Sequence, residues 1–309
     1  MLCLLPAELS RARCTVGAAS GADARKLLKA VSTAGQPFSL PRVSAEALPL
    51  AAHLDQFRGD PNFMTSLARG LLVIQAFSER TLHLSISQLS KRTGLSRASV
   101  RRCLHTLSKL GFAGTDDERN FYLRPCILSL GHAYLSSTPL ACSGRPILEH
   151  LSQILNESCS IALLDGTDVV YVARANVTRI MAIDLGIGTR LPAFCTSMGR
   201  VLLANLSLEE IERVLPRIAF TRYTERTVNS VEKLRQALAA VRKEGYAMID
   251  QELELGLRSL GVPVRSAAGR VVAAIGVEAH GQRVSLQDMQ TRFLPYLRAA
   301  AQELSLLLR

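Results

Sequence analysis

Residues 94–111 read GLSRASVRRCLHTLSKLG. Val100, Cys103, Leu104, Leu107 and Leu110 recur at helical spacing, which predicts an amphipathic helix with these five facing inward. Ser96 stands where it can cap that helix, and Gly111 where it can end it. Arg97, Arg101, Arg102 and Lys109 bring positive charge with no Asp or Glu among them. A merely solvated helix face mixes signs, because intrahelical acid–base pairs support it. With the leucine stripe buried, Ala98, Arg102, His105 and Lys109 point away from it, and Arg97 and Arg101 lie on its flanks.

The flanking sequence gives this cationic helix a context. Upstream, NFMTSLARGLLVIQAFS (62–78) places Leu67, Leu71, Ile74 and Phe77 on one helical face. SISQLSKRTG (85–94) reads as a short helix capped by Ser87 and stopped by Gly94. Downstream, FAGTDDERNFYL (112–123) predicts two short strands around a polar turn. Helix, helix, tight turn, helix and hairpin is the order of a winged helix-turn-helix. Such a unit needs a buried face on its third helix and a cationic face for phosphates and base edges. Candidate DNA contacts are therefore Ser87, Gln88, Ser96, Arg97, Ser99, Arg101, Arg102 and His105, with Arg119 and Asn120 on the wing. From Ser87 to Lys109 there are six Lys or Arg and no acid.

The whole chain carries a formal net charge of +11 over 309 residues, which favours an acidic partner such as nucleic acid. Its 48% hydrophobic and 20% charged content is ordinary for a globular protein. No apolar run reaches the roughly 20 residues of a membrane span, and the N-terminus lacks the pattern of a signal peptide. Cys3, Cys14, Cys103, Cys126, Cys142, Cys159 and Cys195 include no CxxC pair, which fits reduced thiols of a cytoplasmic protein better than disulfides or a zinc site. No metal or cofactor is expected.

The chain divides into an expected disordered tail (1–60), with a short helix near SAEALPLAAHL, then the winged unit (61–124), a linker helix (125–140) and a second domain (141–309). In the last, PILEHLSQILNE (146–157) predicts a helix and SCSIALLDGTDVVYVARA (158–175) a hairpin turning at Asp165-Gly166. RIMAIDLG (179–186) predicts a strand. TSMGRVLLANL, SLEEIERVL (with a capping box at Ser207 and Glu210) and SVEKLRQALAAVRKEG predict helices. YAMID, GVPVR and RVVAAIGVEA predict strands before a long terminal helix over 285–308. The expected class is α+β with an antiparallel sheet. Catalysis has little support: no histidine lies between His150 and His280, and no phosphate-loop, nucleophile-elbow or metalloprotease motif stands in usable context.

LPAFCTSMGRVLLA (191–204) and DQELELGLRSLGVPV (250–264), following the winged unit, resemble the IclR family of bacterial transcriptional regulators. GDPNFMTSLARGLLVIQAF (59–77), LGHAYLSSTPL (130–140) and CTSMGR (195–200) are similar to its Pca/Pob subgroup, which controls catabolism of aromatic acids through the β-ketoadipate pathway. The resemblance implies a GAF-like effector domain, a homodimer formed through the DNA-binding domains and often a tetramer. It also implies operator DNA, a small aromatic or oxo-dicarboxylic acid effector and a contact with RNA polymerase as partners. Carried over by motif, its effector pocket falls on Thr196, Ser197, Met198 and Gly199, on Ile249 or Asp250, on Ser259, and on Gly276 and Glu278. Ser259 stands where many members have cysteine, and Gly276 and Glu278 where serines are frequent. Independently, Thr196 and Ser197 open a helix whose free N–H groups favour a carboxylate, and Gly199 permits close backbone approach. Arg174, Arg179, Arg190 and Arg258 are candidate counter-charges. Two other readings are a DNA-binding protein whose second domain serves assembly only, and nonspecific nucleic-acid binding.

Overall fold

The computed structural model describes residues 50–77, 81–177 and 185–308. The expected tail up to residue 49 and most of the strand expected over 179–186 lie outside the described residues. Leu50–Phe57 forms a 3-10 helix, followed by helix α1 (Thr65–Gln75). Next come α2 (Ile86–Thr93) and α3 (Arg97–Lys109), then strands β1 (Ala113–Thr115) and β2 (Phe121–Leu123).

Local chemistry sets these boundaries. Ser85, not Ser87, caps α2: its hydroxyl accepts from the Gln88 N–H while the Gln88 side chain accepts from the Ser85 N–H. That reciprocal box satisfies two orphan donors at once, which Ser87 cannot do with Ser90 three residues on. Ser96 caps α3 through the Ser99 N–H. Gly94 ends α2 in a left-handed conformation, where a Cβ would be strained. The core under these helices is Val73, Ala76, Leu84, Leu89, Leu95, Val100, Leu104, Leu107 and Ala113. Two expectations fail here. On α1 the buried residue is Val73, while Leu67 and Leu71 are 58% and 48% exposed; Leu110, beyond the end of α3, is 62% exposed. Periodicity identified the apolar stripe, but the core takes only its edge.

After a 3-10 turn at Pro125–Ile127, α4 (Leu128–Ser137) buries none of its residues. Thr138 breaks the chain, and α5 runs from Pro139 to Leu155, seven residues earlier than the expected start at Pro146. Pro139 fits the first helical turn, where its missing N–H costs nothing, and Pro146 is accommodated inside.

The second domain is built on a six-stranded antiparallel sheet, order β5-β4-β3-β8-β7-β6. Its strands are β3 (Ser158–Asp165), β4 (Asp168–Ala175), β5 (Arg190–Pro192), β6 (Ala247–Asp250), β7 (Leu257–Arg265) and β8 (Val271–His280). The β3–β4 loop is Gly166-Thr167, with Gly166 at positive φ. Three helices lie between β5 and β6: α6 (Ser197–Ala204), α7 (Leu208–Val214) and α8 (Val231–Glu244). The Ser207–Glu210 capping box forms, and Gly245 closes α8 in the left-handed region. At the C-terminus a turn at Leu286–Asp288 and a π-helical segment at Met289–Phe293 precede α9 (Leu294–Leu307).

One face of the sheet, with Cys159, Ile161, Leu260, Val262, Ile275 and Val277, packs on α5 and α9. The other face packs on α6. Cross-strand register places Ser160, Arg174, Gly261 and Gly276 in one row of that face, and Ser158, Glu278, Ser259 and Ile249 in the next.

Candidate functional site

Two regions gather the chemistry expected from the sequence. The first is the winged unit. Ser87, Gln88, Ser96, Arg97, Arg101, Arg102, His105 and Arg119 are exposed; Ser99 and Asn120 are partly so. Within this set the hydroxyls of Ser96 and Ser99 are bonded to each other, and the Gln88 carbonyl oxygen serves the α2 cap. Arg92 donates to the Ala76 carbonyl at 2.9 Å and to Thr81 at 2.6 Å, so this cation ties α2 to the end of α1. Arg97 and Arg101 occupy one flank of α3. Arg102 and Ser99 lie on the other, where they border a groove of about 530 Å³ lined by Leu67, Leu71, Ile74, Cys103, Leu110 and Leu130.

The wing is organised by Asp116, which sequence reasoning missed. Its carboxylate accepts from the Asn120 N–H at 2.7 Å and lies 2.8 Å from Nδ1 of His83. Desolvation opposes ionisation of Asp116, but the Asn120 N–H and His83 hold its carboxyl below the usual range. Arg119 takes positive φ at the tip, and Leu84 pairs with Phe121 in a single antiparallel bridge beside the two-stranded wing. Asp117 and Glu118 at the same tip are exposed.

The second region lies under α6. Met198 is 2% exposed and packs over Gly276, while the Ser197–Met198 backbone rests on Gly261. A Cβ at either glycine would displace these atoms. Gly199 makes the close approach expected of it: a Cβ there would collide with the Ala193 carbonyl. Thr196 donates its hydroxyl to the Pro192 carbonyl and gives no side-chain cap to α6.

Glu278, in the adjacent row, meets a cluster that includes residues absent from the expected pocket. Arg174 Nη1 donates to its Oε2 at 3.2 Å, and both side chains are buried, 3% and 5% exposed. Ser160 and Tyr171 lie at hydrogen-bond distance from its carboxylate, and Arg174 Nη1 also donates to Ser160 at 2.8 Å. The Arg174 guanidinium stands 5.8 Å from the centre of the Tyr171 ring. Burial raises the Glu278 carboxyl above its ordinary range, against the pull of Arg174; burial and Glu278 push the Tyr171 phenol well up. Ser259 pairs directly with Glu278, and Ile249 with Ser259.

Asp250 is one residue past Ile249 and so belongs to the opposite face. It pairs with Arg226 and, at 2.7 Å, with Arg258, which in turn donates to the Gly281 and Val284 carbonyls. Burial opposes its ionisation and Arg258 restores it, leaving the carboxyl lowered. Register puts Ile249, and not Asp250, on the sheet face that carries Ser259 and Glu278. The candidate counter-charge Arg190 is exposed and pairs with Asp165 and Asp168. Arg179 lies outside the described residues. Reading also missed Arg200 and Glu252: Arg200 donates to Glu252 at 2.6 Å and to the Phe194 carbonyl, and Glu252 also accepts from the Val228 N–H. A charged residue directly before the apolar run VLLA (201–204), in a helix buried along its length, was the available signal.

Among the described residues no group of His, Cys, Asp and Glu is arranged to hold a metal ion, and no helix is long and apolar enough to cross a membrane. A winged helix-turn-helix joined to a sheet domain with a buried polar cluster defines a DNA-binding protein with a sensor domain. Residues 66–117 match the IclR helix-turn-helix domain, and residues 132–306 match the C-terminal domain of the bacterial transcriptional regulator IclR. The chain belongs to the IclR family, whose members are transcriptional regulators rather than enzymes.

It is 50% identical to the Pca regulon regulatory protein of Pseudomonas putida over 85% of this chain and 92% of that one. It is 35% identical to the p-hydroxybenzoate hydroxylase transcriptional activator of Acinetobacter baylyi, over 79% and 91%. A solved structure of a transcriptional regulator from Rhodococcus sp. RHA1 aligns with a TM-score of 0.71 at 44% identity, covering 80% of this chain and 98% of that one. The inducer-binding domain of PobR from Acinetobacter, a double mutant in complex with 3-hydroxybenzoic acid, aligns with a TM-score of 0.51 at 32% identity over 54% and 98%.

Proposed function

We propose that this chain regulates genes of aromatic-acid catabolism, binding a (pseudo)palindromic operator as a homodimer and sensing a small carboxylate at the Arg174–Glu278 cluster. The regulators of the Pca regulon and of p-hydroxybenzoate hydroxylase support the pathway. The observation that carries the sensing site is the buried guanidinium of Arg174, on the same sheet face as Ser160, Ser259, Gly276 and Glu278. A buried cation within a polar cluster is the chemistry an aromatic or oxo-dicarboxylic acid requires, and Tyr171 offers a ring edge and a hydroxyl beside it. Met198, Ser197 and Gly199 on α6 form the wall above this floor. Effector binding then moves α6 relative to the sheet and changes the spacing of two DNA-binding units, and so operator affinity or contact with RNA polymerase.

The groove beside α3 supports the dimer reading. Leu67, Leu71, Leu110 and Leu130 line it, and α4, with Leu128 and Tyr134 also exposed, continues the same apolar character. A second copy of the chain is the occupant, because a palindromic operator brings two copies together through these units.

The experiment is a fluorescence-anisotropy titration of DNA from the promoter regions adjoining its own gene. It is run with and without 4-hydroxybenzoate, protocatechuate, cis,cis-muconate and β-ketoadipate, and against random DNA at matched salt. Preference for the operator, changed by one of the four acids, is the expected result. Equal affinity for both DNAs would refute the operator reading. Operator preference that none of the acids changes would favour an assembly role for the second domain.

A further inference from the structure

Helix α3 exposes one apolar side chain, that of Ala98. It stands in the first turn, two residues after the Ser96 cap. Helical spacing sets it in line with Arg102, His105 and Lys109, on the side turned away from buried Val100, Leu104 and Leu107. The first turns of a recognition helix are the ones that meet base edges. A methyl at that place has no charge for a phosphate and no hydrogen-bonding group for a base.

The polar side chains around Ala98 divide into committed and free. The Ser96 hydroxyl accepts from the Ser99 N–H at 3.2 Å and bonds the Ser99 hydroxyl at 3.1 Å. Gln88 Oε1 accepts from the Ser85 N–H at 2.8 Å. While α2 stays capped in this way, the Gln88 amide cannot offer the paired donor and acceptor that the adenine edge takes. Helix α3 itself contains no Asn or Gln. Arg97, Arg101 and Arg102 make no hydrogen bond or ion pair among the described residues, so their guanidinium groups are available to guanine O6 and N7 or to phosphates.

These groups suffice to read G·C pairs and lack the amide that reads adenine. The other mark of an A·T pair in the major groove is the 5-methyl group of thymine, which takes an apolar contact. We infer that Ala98 selects one thymine in each half-site by packing its methyl on the 5-methyl group of that base. Such a contact tells T·A from A·T and from both orientations of G·C, because the methyl lies on one strand only. Arg102 is four residues further on, about 6 Å along the helix. The thymine therefore lies within about two base pairs of the base that Arg102 faces. The inference rests on the reading of α3 as seated in the major groove of an operator.

The test uses the full-length protein and a duplex from the promoter regions adjoining its own gene, cut to the segment that the protein protects from cleavage. Each thymine in turn is replaced by deoxyuridine, which removes the methyl and keeps every hydrogen-bonding group. Anisotropy at matched salt should show one thymine per half-site whose methyl is worth about fourfold in affinity, the share expected for burying one methyl. Ala98→Gly should bind the thymine and uracil duplexes alike. Cytosine at that position should weaken binding by the parent, and 5-methylcytosine should recover part of the loss. The absence of any methyl-sensitive thymine, or the same sensitivity in Ala98→Gly, overturns the assignment. Circular dichroism shows whether the variant is folded; if it is not, failure of 5-methylcytosine to recover binding by the parent overturns the assignment by itself. No preference of the parent for the promoter duplex over random DNA defeats the operator reading, whereas preference without methyl sensitivity defeats this inference alone.

Discussion

Replacing Arg200 with leucine tests how α6 is held. The guanidinium makes two buried bonds, 2.6 Å to Glu252 Oε2 and 2.9 Å to the Phe194 carbonyl, with side chains only 8% and 11% exposed across the ion pair. Leucine leaves the Glu252 carboxylate with the Val228 N–H, at 3.1 Å, and the Phe194 carbonyl without that donor. Removing one partner of a buried pair costs about 3–5 kcal/mol, because the remaining charge stays desolvated. At roughly 2–4 °C per kcal/mol for a domain of this size, the melting temperature should fall by about 6–20 °C. Thermal unfolding followed by circular dichroism measures the shift, and urea unfolding followed by tyrosine fluorescence, the chain having no tryptophan, measures the free energy. The double variant Arg200→Leu/Glu252→Leu should recover a large part of the loss, because no uncompensated charge remains. A single variant within about 1 kcal/mol of the parent, or a double variant whose costs simply add, would refute the claim that this ion pair carries the attachment of α6.

Three further outcomes follow from other parts of the chain. Arg101→Ala should weaken operator binding by about 1–3 kcal/mol if the side chain reads a base edge. Anisotropy at matched salt checks this, and unchanged discrimination between operator and random DNA would remove Arg101 from the reading set. Leu71→Glu places a charge in the apolar groove and should shift the protein from dimer to monomer in sedimentation velocity; an unaltered dimer would place the interface elsewhere. Burial raises the carboxyl of Glu254 to about 7, and its Oε2 has no hydrogen-bond partner. The folded state therefore holds this proton more tightly than the unfolded state. Its contribution is fully present below the ordinary carboxylate range and is lost as pH rises toward 7. Glu254→Gln should flatten that part of the stability–pH curve, and an unchanged slope would show that the carboxyl titrates normally.

What could be read from the sequence was local. The Ser96 cap, the Ser207–Glu210 box and the Gly245 stop depend on residues within one helical turn, and each forms as expected. Ser85 and Ser87 compete for the same cap, and only the Gln three residues beyond Ser85 distinguishes them. The apolar stripe of α1 was visible, but not that a groove rather than the core would receive Leu67 and Leu71. Long-range pairing was the least accessible. Arg174 and Glu278 are 104 residues apart, and Arg200 and Glu252 are 52 apart. Strand register decides which of Ile249 and Asp250 shares a face with Glu278, and no single strand reveals it.

The winged unit shares one core, in which Leu84, from the segment before α2, and Ala113, from the wing, are buried with Val100 and Leu104 of α3. The Leu84–Phe121 bridge and the His83–Asp116 contact fasten the same segment to the wing. Helix and wing thus form a single solid die, with no internal joint by which one could turn without the other. A chemical signal arriving from the sensing domain has no means of recutting that die. In the proposed homodimer it can alter only how far apart two dies strike the duplex. Induction then changes the strength of binding at every operator of a given spacing by a common factor, and leaves the order of preference among half-site sequences as it was.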